Sequence, residues 1–323
     1  MTADMILPAL AQLQQDFTSS PEVVTVVCGL FGLVIGSFLN AAIHRLPRPG
    51  LTISKPRRSA CPACGRSLSW RENVPLISWL VQLGRCRGCG WRIPLRYPLV
   101  EALTAGLFVF SSLSTQHGDF SLLAVRLLAV AGLLVATFVD LEFFEIPDQV
   151  SLGGMALGPI VCLAVPALHA DSWIAINMTP LGEAVGPVAA LTAGCAGLLV
   201  GGGGLYLLGR LGSAAFGQEA MGFGDVKLVG AAGLWLGPGG VLVALMLASL
   251  AASCIGIGNI LRYYCLLRRR RARRGQPHGP GRSLRTARSA GRFVPFGPYL
   301  ALGIGIVLLR WNDVSAWLLS LGA

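Results

Sequence analysis

Apolar residues gather into eight runs, at about 23–43, 97–115, 122–139, 149–168, 184–209, 227–236, 239–261 and 295–311. Charged residues fall mostly between the runs. A stretch of about 20 apolar residues is the length of helix that crosses the hydrocarbon of a bilayer. The sixth run is short, and Gly237-Pro238-Gly239-Gly240 separates it from the seventh. The pattern predicts an all-α polytopic membrane protein of about eight transmembrane helices, with a polar loop between the first two. Composition agrees. The chain has 323 residues, 54% hydrophobic and only 13% charged, too few polar side chains to cover a soluble surface. Disordered, collagen-like and disulfide-scaffold classes are excluded by the same figures.

Charge orients the runs. Of 26 Lys and Arg, 22 lie in two segments, 45–96 and 262–292. Basic loops remain on the cytoplasmic side. Both segments share a side only if an even number of spans lies between them, which requires that the short sixth run be counted. Residues 1–22 carry acids and no base. They predict an external N-terminus ahead of an uncleaved anchor at 23–43, not a cleaved signal. The expected organisation continues with a cytoplasmic domain at 44–96 and a membrane domain at 97–311. The latter is interrupted by an Arg-rich cytoplasmic loop at 262–294, and 312–323 follow as an external C-terminus. Juxtamembrane Lys and Arg are attracted to anionic lipid, so the basic excess points to membrane lipid and not to nucleic acid.

Nine cysteines are present, five of them scattered in or beside apolar runs. The other four form Cys61-Pro-Ala-Cys64 and Cys86-Arg-Gly-Cys89, each pair followed by glycine. Two such knuckles can bring four thiolates onto one tetrahedral zinc, and disulfides are disfavoured on the cytoplasmic side. The expected site is zinc on Cys61, Cys64, Cys86 and Cys89. A loop this small gains much of its folding energy from metal.

Acids at membrane depth mark functional sites. Asp140 ends the third run and Asp225 begins the sixth, both at the cytoplasmic face. Asp225 stands in Gly222-Phe223-Gly224-Asp225-Val226-Lys227, where glycine permits close approach of a substrate chain. Two carboxylates in a poorly solvated site share a proton. The ionised one can activate water against a peptide carbonyl while the protonated one donates to the carbonyl oxygen. The same pair could relay protons in an ion-coupled carrier, and either Asp could simply cap a helix. Glu142, Glu145 and Asp148 read first as interfacial, helix-end acids.

Several blocks resemble one family. Gly36-Ser37-Phe38-Leu39-Asn40 with Arg45-Leu46-Pro47, the Cys61–Cys89 block with Glu72-Asn73-Val74-Pro75, and Arg96-Tyr97-Pro98 with Glu101 are similar to bacterial type IV prepilin peptidases. So are the 140–148 stretch, Gly222–Leu228 and Pro295-Phe296-Gly297-Pro298. The resemblance implies an intramembrane aspartyl endopeptidase of the bacterial inner membrane. It would remove the basic leader from type IV prepilins or type II secretion pseudopilins, whose N-terminal helix is apolar. It would then methylate the new N-terminus from S-adenosylmethionine. It also implies catalytic Asp140 and Asp225, with Gly222, Gly224, Lys227, Glu142 and Asp148 supporting. Glu142, Glu145, Asp148 and Glu219 would attract the leader. No residues for the methyl donor are evident.

Overall fold

A computed structural model describes residues 20–53, 59–116, 118–219, 221–273 and 295–321. Most of the expected external N-terminus and most of the Arg-rich loop, 274–294, lie outside the described residues.

The main helices are α1 (Pro21–Arg45), α2 (Ile77–Val81), α3 (Arg96–Leu113), α4 (Phe120–Phe143) and α5 (Asp148–Ala164). Then come α6 (Trp173–Asn177), α7 (Pro187–Leu198), α8 (Gly204–Phe216), α9 (Phe223–Arg273) and α10 (Gly297–Leu321). Among the described residues no named strand occurs, only two isolated bridges in the cysteine loop. Five helical stretches are long and apolar enough to cross a membrane: Pro21–Arg45, Phe120–Phe143, Pro187–Phe216, Phe223–Arg269 and Gly297–Ser320.

In α1, Val26, Leu30, Val34 and Phe38 recur every four residues and stay exposed, while Gly32, Gly36 and Asn40 are buried on the other side. The exposed stripe is an apolar face suited to lipid. The small residues let α3 come close. A Cβ on Gly32 would sit 2.7 Å from Ala105 Cα, and one on Gly36 equally close to Glu101 Cα. Such small-residue seams are how membrane helices pack without a hydrophobic drive between them.

The run Gly201-Gly202-Gly203-Gly204 loosens its helix. Leu199–Gly203 forms a π-turn joining α7 to α8. Beside it, α9 is two helices joined at Gly237, whose φ of 69° and ψ of 178° are open to glycine alone. The next residue is Pro238, which has no N–H to give the carbonyl of Leu234 four residues back. His169 Nε2 lies 3.1 Å and Cys162 Sγ 3.4 Å from that oxygen instead. A break within a membrane domain is tolerable when the freed carbonyl is satisfied in this way. The chain then turns back on itself. Gly201 lies against both Val229 and Val241, and Gly240 faces Val307 while Gly303 faces Ala244 and Ala248.

One helix outruns its apolar run. Helix α9 continues through Arg273 into the segment expected to be loop from 262, whereas α10 breaks at Arg310 (φ −136°, ψ 36°), beside the expected end at 311, before a further helical segment runs to Leu321. Leu, Arg, Ala and Trp tolerate or favour helix whether or not lipid surrounds them, so the helix and the hydropathy stop at different places.

Candidate active site

Helix α4 delivers Asp140 in its last turn. Phe144 takes a left-handed conformation and its N–H bonds to the Asp140 carbonyl at 3.0 Å, closing the helix. Pro147 then opens α5 with Asp148 as its first residue. Asp225 lies in the first turn of α9. The two aspartates come from distant parts of the chain to one cleft of about 660 Å³. Leu46, Pro47, Glu145, Asp148, Gly222, Gly224, Lys227 and Phe296 also line it.

Asp140 is 6% exposed, and its Oδ2 accepts the N–H of Gly297, the first residue of α10, at 2.8 Å. A Cβ on Gly297 would stand 2.7 Å from the same oxygen. Gly297 is a contact of the candidate site that reasoning from charge and hydropathy missed. Its only sequence signal is the Pro295-Phe296-Gly297-Pro298 block. Gly222 backs onto Asp225, with the carboxylate 3.4 Å from where a Cβ would be, and Gly224 packs on Ile146.

The other expected supporting residues divide. Asp148 lines the cleft and is ion-paired to Lys227, which also lies over the ring of Phe223. Glu142 does not line it. Its side chain points to Arg96 of α3 and forms an ion pair there. One turn of α4 separates Asp140 from Phe143, and the intervening residues cannot all face inward. Glu145 is in the cleft wall.

A second cavity, about 390 Å³ and almost wholly apolar in its lining, shares Leu46 and Gln149 with the cleft. It runs along α1, α4, α5, α9 and α10 to Leu128, Leu157 and Leu236. From Asp140 to Leu128 that is about 18 Å of helix.

The cysteine loop folds as two similar knuckles. Gly65 N–H bonds to Cys61 O at 2.8 Å and Gly90 N–H to Cys86 O at 2.9 Å, each glycine at positive φ. The sulfurs of Cys61, Cys64, Cys86 and Cys89 all lie within 4.8 Å of one another, with Cys61 and Cys89 at 3.9 Å. Tetrahedral Zn–S bonds of about 2.3 Å place sulfurs about 3.8 Å apart, so the cluster fits a metal ion of that preference. Backbone N–H groups of Cys89 and Gly88 hold the Cys86 thiol below its usual range, toward the thiolate that metal binding needs, while desolvation and the neighbouring sulfurs hold Cys89 above it. Glu72 braces the loop. The Ser69 N–H, the Arg66 guanidinium and the Ser69 hydroxyl hold its carboxyl down to about 2.

Comparison with known proteins follows the same division of the chain. The profile of the bacterial peptidase A24 N-terminal domain matches residues 30–115, and that of the type IV leader peptidase family matches 127–257. A prepilin leader peptidase/N-methyltransferase of Aeromonas salmonicida is 35% identical over 314 residues, spanning 90% of this chain and 92% of that protein. One from Pseudomonas aeruginosa is 31% identical over 321 residues, spanning 92% and 94%. The type 4 prepilin-like proteins leader peptide-processing enzyme of Escherichia coli is 34% identical over 258 residues, spanning 75% and 86%. No solved structure matches the chain at a significant level.

Proposed function

The chain belongs to the type IV leader peptidase family, and from that premise we propose that it is a membrane aspartyl endopeptidase and N-methyltransferase acting on prepilins or pseudopilins. One observation carries the peptidase half: two aspartates, brought from separate helices, face a single cleft at the basic end of the bundle. Asp140 and Asp225 work as a pair. The ionised carboxylate takes a proton from water as that water attacks the scissile carbonyl. The protonated carboxyl donates to the carbonyl oxygen and then helps expel the amine. The Gly297 N–H holds Asp140 in place, and Gly222 and Gly224 keep the floor low enough for a peptide backbone to lie against it.

A substrate with a basic leader and an apolar helix has two needs, and the cavities supply both. Glu145 and Asp148 line the cleft where the leader would lie. The apolar groove beyond it would take the first turns of the substrate helix. An eight-span topology would fit the same reading. If the break at Gly237 separates two spans, both basic segments and both aspartates fall on one side. By the charge rule that is the cytoplasmic face of the bacterial inner membrane. The four cysteines would hold zinc as a structural staple of the loop, and S-adenosylmethionine would supply the methyl group. A proton-relay carrier finds no support among the relatives.

The direct test is mass spectrometry of a prepilin incubated with the purified protein and S-adenosylmethionine. Leader loss followed by gain of one methyl group is expected. An unprocessed prepilin would overturn the proposal.

A further inference from the structure

A third cavity, of about 310 Å³, lies between the cysteine loop and the cytoplasmic ends of α1 and α3. It takes no part in the cleft and shares no lining residue with it. Its volume is at the lower end of the range for small-molecule sites. Trp79, Trp91 and Tyr97 give it flat aromatic walls, and its charged lining is Arg45 with two carboxylates, Glu101 and the Glu72 already held by Arg66 and Ser69.

Two of its polar groups are built, not incidental. Asn40 is 2% exposed, and its amide donates to the Tyr97 carbonyl at 2.9 Å. That bond fixes the amide and leaves Oδ1 buried with no partner among the described residues. An orphaned acceptor at this depth costs about 1–3 kcal/mol unless something donates to it. Glu101 is 7% exposed and accepts the Leu76 N–H at 2.8 Å through Oε2. Leu76 holds a positive φ of 58°, so this contact pins a strained turn over the cavity.

We propose that this cavity is the methyl-donor site, with the adenosyl group between the aromatic walls, Asn40 Oδ1 accepting from it, and the Glu101 carboxylate balancing the sulfonium. The inference rests on the methyltransferase half of the proposed function. A sulfonium is an organic cation, and carboxylates and aromatic faces are what hold such cations. Arg45 can meet the donor's own carboxylate. The position also suits the chemistry. The end of α1 gives Leu46 and Pro47 to the aspartate cleft and His44 and Arg45 to this cavity. The two sites thus flank the same end of α1. An amine freed in the cleft has a short way to go. Its lone pair forms the N–CH₃ bond as the C–S bond breaks and the electron pair returns to sulfur. The proton then leaves to solvent.

Binding of S-adenosylmethionine and of its neutral product S-adenosylhomocysteine should be measured by calorimetry on the purified, zinc-loaded protein. The variants are Ala41→Trp, which fills the cavity, Glu101→Gln, which keeps an acceptor for Leu76, and Asp225→Asn. Ala41→Trp should weaken both ligands at least about tenfold. Glu101→Gln should weaken the sulfonium ligand more than the thioether, and Asp225→Asn should bind both as wild type does. If Ala41→Trp and Glu101→Gln retain zinc and leader cleavage and bind both ligands normally, the cavity is not the site. If wild type binds neither ligand, the methyltransferase reading itself fails and the site falls with it.

Discussion

The Gly297 N–H lies 2.8 Å from the Asp140 carboxylate, and a Cβ on that glycine would lie 2.7 Å from it. Gly297→Ala must therefore displace the carboxylate or the start of α10. A misplacement near 1 Å can cost about a hundredfold in rate. Leader cleavage by Gly297→Ala, assayed with zinc and fold intact, should fall by about that factor, and an unchanged rate would show that Asp140 need not be held there. Glu72 gives a second residue-scale expectation, with its sign set by its carboxyl lying low, near 2. A depressed carboxyl stabilises above its unfolded value of about 4.3 and loses that contribution as pH falls toward its folded value. The melting temperature gap between wild type and Glu72→Gln should accordingly be full at neutral pH and shrink as pH falls below about 4.5. A gap constant down to pH ~3 would mean that the charge is not what braces the loop. Asp225 was legible at this scale because glycines flank it and a second acid lies on the same face. Gly297 was not, since a backbone donor from a distant helix leaves no mark in local composition.

Elements were legible where lipid dictates them. Each of the eight apolar runs contains helix, and Gly237-Pro238 marks the one sharp break within α9. The end of α9 was not, because helix propensity persists after hydropathy stops. Glu142 was misplaced for a related reason. Sequence puts it near Asp140, but the helical turn sends it to Arg96. The groove between α1, α4, α5, α9 and α10 belongs to no single element, so only packing reveals it. Gly153 lies in its wall, and nothing would stand within 4 Å of a Cβ there. Gly153→Phe should fold normally and obstruct the groove. For a full-length prepilin the KM should rise about tenfold with little change in kcat, as when binding common to ground and transition states is lost. An unchanged KM would place the substrate helix elsewhere.

On the scale of the whole molecule, charge and parity of spans make one connected statement. A tag inserted at Gly182, between α6 and α7, should be reached by antibody on intact spheroplasts. A tag at Gly50, beside α1, should be reached only after permeabilisation. The opposite labelling would invert the topology and take the aspartates to the wrong face for a cytoplasmic leader. The cysteine cluster and the acid pair could be picked out from sequence because each is a set of rare groups in a chain poor in charge. The cavity against Asn40 and Glu101 could not, because it is made by the approach of α3 to α1 under the loop. The central claim is that Asp140 and Asp225 act together on the leader peptide bond. It is tested most directly by leader cleavage with purified wild type, Asp140→Asn and Asp225→Asn, each shown to be folded and zinc-loaded. Each substitution alone should lower the rate by at least about 10²–10⁴-fold. Cleavage at the wild-type rate by either variant would contradict the pair.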